Sequence, residues 1–385
     1  MRTELELLKA ILPALAGRPP GNLPAGDTIF WPLFLRLVKV HRLGPLCFRI
    51  LKDNDAPRPK RDRQHECRPG LRPGVSPPRR LPEAAYNAGV GPHNSRDLPA
   101  YFPREVWSAW EEEYHAALWK TLLVQDGLRC ALEALRARGV ETIVLKGAHL
   151  AEAYYPHPAL RLGDDVDLLV REETGGEVRA ALAETGWEFV SETETALKYS
   201  RPGPGGFRAF IEVHTNLQTP RRRNPAFSIR IADFREKSRE EKILEVPVRV
   251  LEPEMNLFYL AAHLSHHGFS RLIWLYDLHL LASHSGKEID WEETVRRAAS
   301  SRSAVAVWCA LLWTKKLFGS PIPEGVLRGL SPSAFKRRLL GRFFAERRIL
   351  EGEAYREGEL SLFERFVLND SWPRAWIGYL GSRVK

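Results

Sequence analysis

Cysteine is scarce in this chain, which has four in 385 residues: Cys47, Cys67, Cys130 and Cys309. No two of them form a C-x-x-C pair, so the spacing gives no sign of a zinc ribbon or a disulfide framework and favours reduced thiols. The chain also lacks the run of about 18 apolar residues that a membrane-spanning helix requires. Its first residues contain no signal-peptide core. We therefore expect a soluble, cytoplasmic protein without a membrane span.

Acidic residues are fewer than basic ones, and the formal net charge is +9. This balance suits anionic substrates such as nucleotides and permits nucleic acid as a partner without requiring it. Hydrophobic residues make up 44% of the chain and charged residues 27%, which is ordinary for a folded protein. The length allows about two to three domains, or one domain with a helical extension.

Shifts in composition divide the chain into four segments. The first should form two helices, in which His41 is either structural or in contact with a substrate. The second is rich in proline and arginine, cannot bury a core and is expected to be disordered. The third carries the strands, and the fourth is almost entirely helical. The expected boundaries are 1–51, 52–99, 100–252 and 253–385.

The most informative stretch lies between residues 142 and 170. It begins with an apolar run at 142–145, which is typical of a buried strand. Lys146 and Gly147 follow, and the next residues predict a short helix that ends before Pro156. A strand, a glycine turn and a helix N-terminus together present backbone N–H groups that suit a phosphate.

Carboxylates follow on two further predicted strands. Asp165 and Asp167 begin the first, and alternation along a strand places their side chains on one side. Residues 207–214 predict the second, with Glu212 and His214 on a shared face. If the two strands are neighbours, three carboxylates meet and can hold Mg²⁺ or Mn²⁺. The alternative for the D-x-D pair alone is a solvated strand end.

In this order the motifs resemble those of the uncharacterised nucleotidyltransferase family, a branch of the polymerase-β-like superfamily. The similarity extends from about residue 30 to about residue 285. It includes the N-terminal HRLGPL motif and a helical region with a histidine, a tryptophan and an aspartate. The chain departs from the wider superfamily in having Lys-Gly where Gly-Ser or Gly-Gly is usual. The matching residues are Lys146, Gly147, Tyr155, Pro156, Arg161, Asp165, Asp167, Glu212, His214, His263, Trp274 and Asp277.

The resemblance implies an α+β fold: a nucleotidyltransferase-like mixed sheet with flanking helices, an all-α N-terminal segment and an α-helical C-terminal region. We expect the helices of the core to lie on one side of the sheet. It also implies site residues in three roles. The catalytic and metal-binding residues are Asp165, Asp167 and Glu212; the nucleotide-binding residues are Lys146, Gly147, Arg161 and His214; and a possible acceptor or base pocket contains His263, Trp274 and Asp277.

Several roles remain open at the level of sequence. Lys146 either binds the triphosphate or forms a salt bridge with the carboxylates. Trp274 and Asp277 offer either a stacking surface with a carboxylate, or a core tryptophan with an exposed aspartate. The arginines at 221–223 form either a solvated turn or a contact with an anionic acceptor.

The activity that these residues imply is metal-dependent transfer of an NMP from an NTP to an acceptor hydroxyl, with release of pyrophosphate. The acceptor can be a small molecule, a sugar, a protein or RNA. The alternative is a non-catalytic nucleotide-binding or nucleic-acid-binding protein that retains the fold.

Overall fold

A computed structural model of the chain describes residues 1–52, 98–215 except 162, 164 and 194, then 231–352 and 367–370. Two features noted in the sequence lie outside these residues: almost all of the 52–99 insertion, and the arginines at 221–223. Among the described residues, no helix is both long enough and apolar enough to cross a membrane.

Helices make up most of the described chain. Several short helical turns connect the longer elements: Gly26–Thr28, Gly44–Leu46, Cys47–Leu51, Leu98–Tyr101, Pro158–Leu160, Glu172–Thr174 and Pro204–Gly206. The helices of six or more residues are α1 (Arg2–Leu15), α2 (Trp31–Val40), α3 (Arg104–Ala137), α4 (Lys146–Ala153), α5 (Gly175–Glu184), α6 (Ile231–Glu236), α7 (Pro253–His266), α8 (Leu272–Ser285), α9 (Trp291–Ser300), α10 (Ala304–Phe318), α11 (Glu324–Leu330), α12 (Ala334–Phe343) and α13 (Glu346–Glu351).

The strands form one seven-stranded sheet in the order β3-β4-β5-β2-β1-β7-β6. Strands β2 and β5 are parallel, as are β1 and β7, and the other neighbours are antiparallel. The expected α+β fold with a mixed sheet is therefore confirmed. The strands are β1 (Ile143–Leu145), β2 (Val166–Leu169), β3 (Glu188–Glu192), β4 (Ala196–Pro202), β5 (Arg208–His214), β6 (Ser238–Ile243) and β7 (Val246–Leu251).

One face of the sheet packs against α3 and α5. Val144 and Leu168 on this face belong to one buried apolar cluster with Leu132 of α3 and Val178 of α5. Alternation places every second residue of a strand on this face.

The opposite face packs against the two ends of the chain. Ile143, Leu145 and Leu169 join a larger cluster with α1, α2 and helices α7 to α13. Burying each such leucine contributes about 2 kcal/mol. Helices thus cover both faces. The expectation that the core helices lie on one side was wrong, because Leu150 of α4 and Phe234 of α6 belong to this second cluster.

The HRLGPL motif joins the N-terminal segment to the C-terminal helices. His41 is fully buried; its Nε2 lies 2.8 Å from the carbonyl oxygen of Leu350, and the backbone N–H of Leu272 donates to its Nδ1 at 3.2 Å. Burial lowers the pKa of His41 to about 4, so the ring is neutral. Nearby, a Cβ at Gly44 would lie 1.9 Å from a carboxylate oxygen of Glu113. His41 is therefore structural.

Candidate active site

The site begins where β1 passes directly into α4. Lys146 is the first residue of the helix and has φ +41°, which is left-handed backbone in a residue other than glycine. Such a conformation costs about 1–3 kcal/mol and persists only where the surroundings impose it. Leu145 pairs in register with Asp167 of β2, so the turn delivers Lys146 next to that carboxylate. Lys146 Nζ donates to Asp167 Oδ1 at 3.1 Å.

The strand register brings two carboxylates side by side. Asp167 of β2 pairs with Glu212 of β5, and Glu212 in turn pairs with Lys198 of β4. Residues that pair directly across strands point to the same face, so these three side chains form one row. The condition set for the carboxylates, that the Glu212 strand is the neighbour of the D-x-D strand, is therefore met.

Asp167 is the most constrained carboxylate of the site. It is buried, and its Oδ1 lies 3.1 Å from Lys146 Nζ and 2.9 Å from His214 Nε2. Burial by itself would raise the pKa of Asp167, but Lys146 and His214 outweigh it and hold the pKa below its usual value. Asp167 is therefore ionised at neutral pH.

Asp165 has a different environment. It is exposed and directly precedes β2, whose first residue is Val166. Neighbouring protein removes part of the hydration of its carboxyl, and the charge of Asp167 adds repulsion, so the pKa of Asp165 is raised. Its neighbour Asp164 lies outside the described residues.

Among the described residues, one group has ligand atoms close enough to share a metal ion. It consists of Asp167, Glu212 and His214, whose atoms lie within 4.8 Å of one another. The group includes His214, which the sequence assigned to nucleotide binding. It does not include Asp165, which precedes β2. Two carboxylates and one imidazole fit a divalent cation, and the imidazole suits Mn²⁺ better than Mg²⁺.

Two lysines lie among these carboxylates. Lys198 Nζ donates to Glu212 Oε1 at 2.8 Å, and this bond raises the pKa of Lys198. Burial alone would lower the pKa of Lys146, but the charge of Asp167 and the neighbouring Tyr259 outweigh it and raise the pKa. Of the two roles open for Lys146, the structure contains the salt bridge. The sequence analysis did not identify Lys198 or Tyr259 as site residues. The position of Lys198 on the strand next to the Glu212 strand was the one sequence feature that could have indicated it.

A buried ion pair connects the site to α8. Arg161 Nε donates to Asp277 Oδ1 at 2.8 Å and Arg161 Nη2 to Oδ2 at 2.8 Å, while the hydroxyl of Tyr155 donates to Oδ1 at 2.7 Å. The two charged side chains are 7% and 1% exposed. Burial alone would lower the pKa of Arg161, but Asp277 raises it. Asp277 is therefore buried, and the interpretation of it as an exposed residue was wrong. Both of its carboxylate oxygens accept hydrogen bonds from Arg161.

The same guanidinium also approaches the turn formed by Lys146 and Gly147. A Cβ added to Gly147 would lie 3.9 Å from Arg161 Cζ and Nη1. Gly147 and Arg161 both line a groove, together with Lys120 of α3 and Asp165. The two nucleotide-binding residues that the sequence proposed here therefore lie together, with the arginine oriented by α8.

Aromatic rings cluster where α7 meets α8. The ring centroids of His263, His267 and Trp274 lie 4.6 to 5.0 Å apart, and the guanidinium of Arg271 lies 5.0 Å from the centroid of the Trp274 ring. Tyr259, one turn before His263 on α7, has its ring centroid 5.7 Å from Lys146 Nζ. The cluster thus adjoins the site along α7.

Comparison with known proteins identifies the family of this chain. The sequence model of a family described as uncharacterised nucleotidyltransferase matches residues 27–319. The chain belongs to this family. Its members are nucleotidyltransferases by description, and the matched range contains all of the site residues discussed above. No curated protein matches the chain.

Two solved structures are similar to this member of the uncharacterised nucleotidyltransferase family. One is the antibiotic-resistance factor ANT(2'')-Ia, at 16% identity and a TM-score of 0.26, over 50% of this chain and 91% of that one. The other is an antigenic nucleotidyltransferase-like protein from Paracoccidioides brasiliensis, at 16% identity and a TM-score of 0.28, over 53% of this chain and 92% of that one. Both TM-scores are low, and the assignment to the family rests on the sequence match.

Proposed function

We propose that this protein is a metal-dependent nucleotidyltransferase that moves an NMP from an NTP to an acceptor hydroxyl and releases pyrophosphate. The observation that carries the proposal is the register of the central strands. Asp167 and Glu212 are directly paired on β2 and β5, and Leu145, paired with Asp167, is followed at once by the Lys146-Gly147 turn. Carboxylates for a metal and donors for phosphates are thus adjacent on one sheet.

Asp167, Glu212 and His214 would hold Mg²⁺ or Mn²⁺. Asp165 is exposed and lies just before β2, two residues from Asp167. When bound, a divalent ion neutralises charge on phosphate oxygens and lowers the pKa of an attacking hydroxyl. Asp167 is suited to this role because it stays ionised. Glu212 lies at the more exposed side of the row, where it can accept the proton of the acceptor hydroxyl.

The phosphates of the nucleotide would bind at the start of α4. Backbone N–H groups at a helix N-terminus favour anions, and Gly147 leaves room for close approach. Lys146 and Arg161 would neutralise the charge. Arg161 is held by Asp277, so its orientation is fixed before the nucleotide arrives, and Asp277 acts on the nucleotide only through Arg161.

The aromatic cluster of α7 and α8 would contact the nucleobase or the acceptor. His263 and Trp274 are the candidates, because Tyr259 connects them to Lys146 along α7. Stacking of a base on an aromatic ring contributes about 1–3 kcal/mol.

The test uses ATP, GTP, CTP and UTP labelled at the α-phosphate, with Mg²⁺ or Mn²⁺ and a size-fractionated lysate as the source of acceptors. Label that enters one fraction with the wild type and not with Asp167→Asn supports transfer, and the size of the fraction separates protein, RNA and small-molecule acceptors. Asp126→Asn, which removes an exposed carboxylate paired with Arg201, is the matched control and should retain activity.

Other outcomes separate the alternatives. Metal-dependent NTP binding without transfer in any fraction would favour a non-catalytic nucleotide-binding protein. Nucleic-acid binding that falls steeply with salt and needs no metal would favour a nucleic-acid-binding protein. If the wild type binds neither metal nor NTP, the proposed function is wrong.

A further inference from the structure

Both carboxylates of the metal group are already neutralised by the protein's own lysines. Lys146 Nζ lies 3.1 Å from Asp167 and Lys198 Nζ lies 2.8 Å from Glu212. An ammonium ion at hydrogen-bond distance from a carboxylate oxygen competes directly with a cation for the same lone pairs. A divalent ion that binds here therefore competes with a lysine for each carboxylate.

The two lysines differ in their freedom to move. The Lys146 side chain is 18% exposed, donates to the buried Asp167 and lies beside Tyr259, and its backbone has a left-handed conformation. Lys198 projects from β4, its side chain is 37% exposed, and its Nζ lies 5.2 Å from the centroid of the Phe210 ring. Its charge also acts on Asp165 and Asp167. Lys198 is thus the cation that can leave its partner and remain beside the site.

We propose that Lys198 is a displaceable counterion of Glu212. When the divalent metal binds Glu212, the Lys198 ammonium leaves this carboxylate and binds a phosphate oxygen of the nucleotide. The inference rests on the proposed function and adds a residue to it. Before substrate arrives, the ion pair keeps Glu212 from attracting metal on its own. With the metal–nucleotide complex, the phosphate supplies the new partner that Lys198 needs.

Metal and nucleotide should consequently bind with positive coupling. Metal alone competes with Lys198 for Glu212 and lies close to the positive charge of this ammonium ion. At the dielectric constant of water, repulsion between a divalent ion and an ammonium ion about 5 Å away corresponds to roughly a tenfold loss of affinity. The nucleotide removes this penalty, so each ligand should tighten the binding of the other by a similar factor.

The test measures Mn²⁺ affinity by electron paramagnetic resonance of the free ion, with and without the non-reactive analogue α,β-imido ATP. In Lys198→Met, Mn²⁺ alone should bind about tenfold more tightly than in the wild type, whereas the analogue should bind more weakly and the coupling should fall towards one. A variant that merely disturbs the fold would instead lose Mn²⁺ affinity.

Two control variants separate charge from fold. Lys198→Arg keeps the positive charge and should retain wild-type Mn²⁺ affinity. Lys242→Met removes the same charge from the exposed Lys242–Glu245 pair next to β6 and should change nothing. Thermal unfolding of each variant verifies that the fold is intact.

The proposed counterion role is overturned if the wild type binds Mn²⁺ and Lys198→Met binds it equally or less tightly. It is equally overturned if Lys242→Met tightens Mn²⁺ as much as Lys198→Met, since the effect would then be one of net charge. A wild type that binds no Mn²⁺ with or without the analogue would overturn the proposed function as well. The two failures are therefore distinguishable.

Discussion

The buried pair of Arg161 and Asp277 should contribute to stability in a strongly coupled way. Two charge-assisted contacts of 2.8 Å join the side chains, and both are almost completely excluded from solvent. Asp277→Leu leaves a buried guanidinium without its carboxylate. Removing one partner of such a pair costs about 3–5 kcal/mol, which is a large part of the roughly 5–15 kcal/mol that stabilises a typical domain.

The double variant Arg161→Met/Asp277→Leu should be more stable than Asp277→Leu alone. Replacing both charges with apolar side chains of similar size removes the desolvation penalty together with the attraction, and is often neutral. We therefore expect a coupling energy of about 2 kcal/mol or more between the two positions. Tyr155 loses its acceptor in both variants, so its contribution cancels in this comparison.

Urea denaturation followed by fluorescence and circular dichroism measures these differences. The exposed pair Arg179–Glu192 provides a matched cycle on the surface, where the coupling should be about 0–1 kcal/mol. The reasoning is refuted if Asp277→Leu costs less than about 1 kcal/mol, or if the double variant loses the sum of the two single losses.

Three further predictions follow from the packing. Burial lowers the pKa of His41 and of His279 from 6.5 to about 4, so the unfolded chain takes up these protons at a higher pH than the folded protein does. The free energy of unfolding should therefore fall by about 3 kcal/mol per histidine as the pH drops from about 6.5 to 4. Urea midpoints across this pH range measure the loss, and replacing either histidine with Gln should make it smaller. Gly147→Ala should leave the melting temperature unchanged, since its Cβ finds only ordinary contacts, yet weaken NTP binding at least tenfold in a titration, since the same Cβ narrows the phosphate turn. Gly352→Ala should lower the free energy of unfolding by about 1–3 kcal/mol, because φ at Gly352 is +64° and the new Cβ would lie 2.5 Å from a valine methyl group. Gly325→Ala, whose Cβ faces open space, is the control and should not reduce stability in the same urea assay.

The sequence predicted the central strands of the sheet because their signals are local. A continuous apolar run identified β1, and alternation identified β2 and β5, each to within one or two residues. Strand β6 was missed, since its sequence Ser-Arg-Glu-Glu-Lys-Ile has no apolar alternation and lies at the edge of the sheet, paired to β7 alone. Its position is determined by the register with β7, which local sequence does not encode.

The ordered motifs predicted which residues carry the chemistry of the site, but not which side chains contact them. Asp167, Glu212 and the Lys146-Gly147 turn could be proposed together because they lie on, or beside, predicted strands. That Asp165 lies outside the group of Asp167, Glu212 and His214 could not be predicted, because local sequence does not fix the residue at which β2 begins. His214 belongs to the group because it lies on the same face of β5 as Glu212.

By itself, the sequence determined the family, the α+β class, and the acidic and phosphate-binding residues, because strand periodicity and motif order are properties of short segments. Only the tertiary structure decided which buried polar and charged groups pair. Arg161 pairs with Asp277, 116 residues away, and His41 hydrogen-bonds to the carbonyl of Leu350, 309 residues away. Such partners depend on how helices pack across the sheet, where burying a polar or charged group without a partner is costly, and no local pattern encodes them.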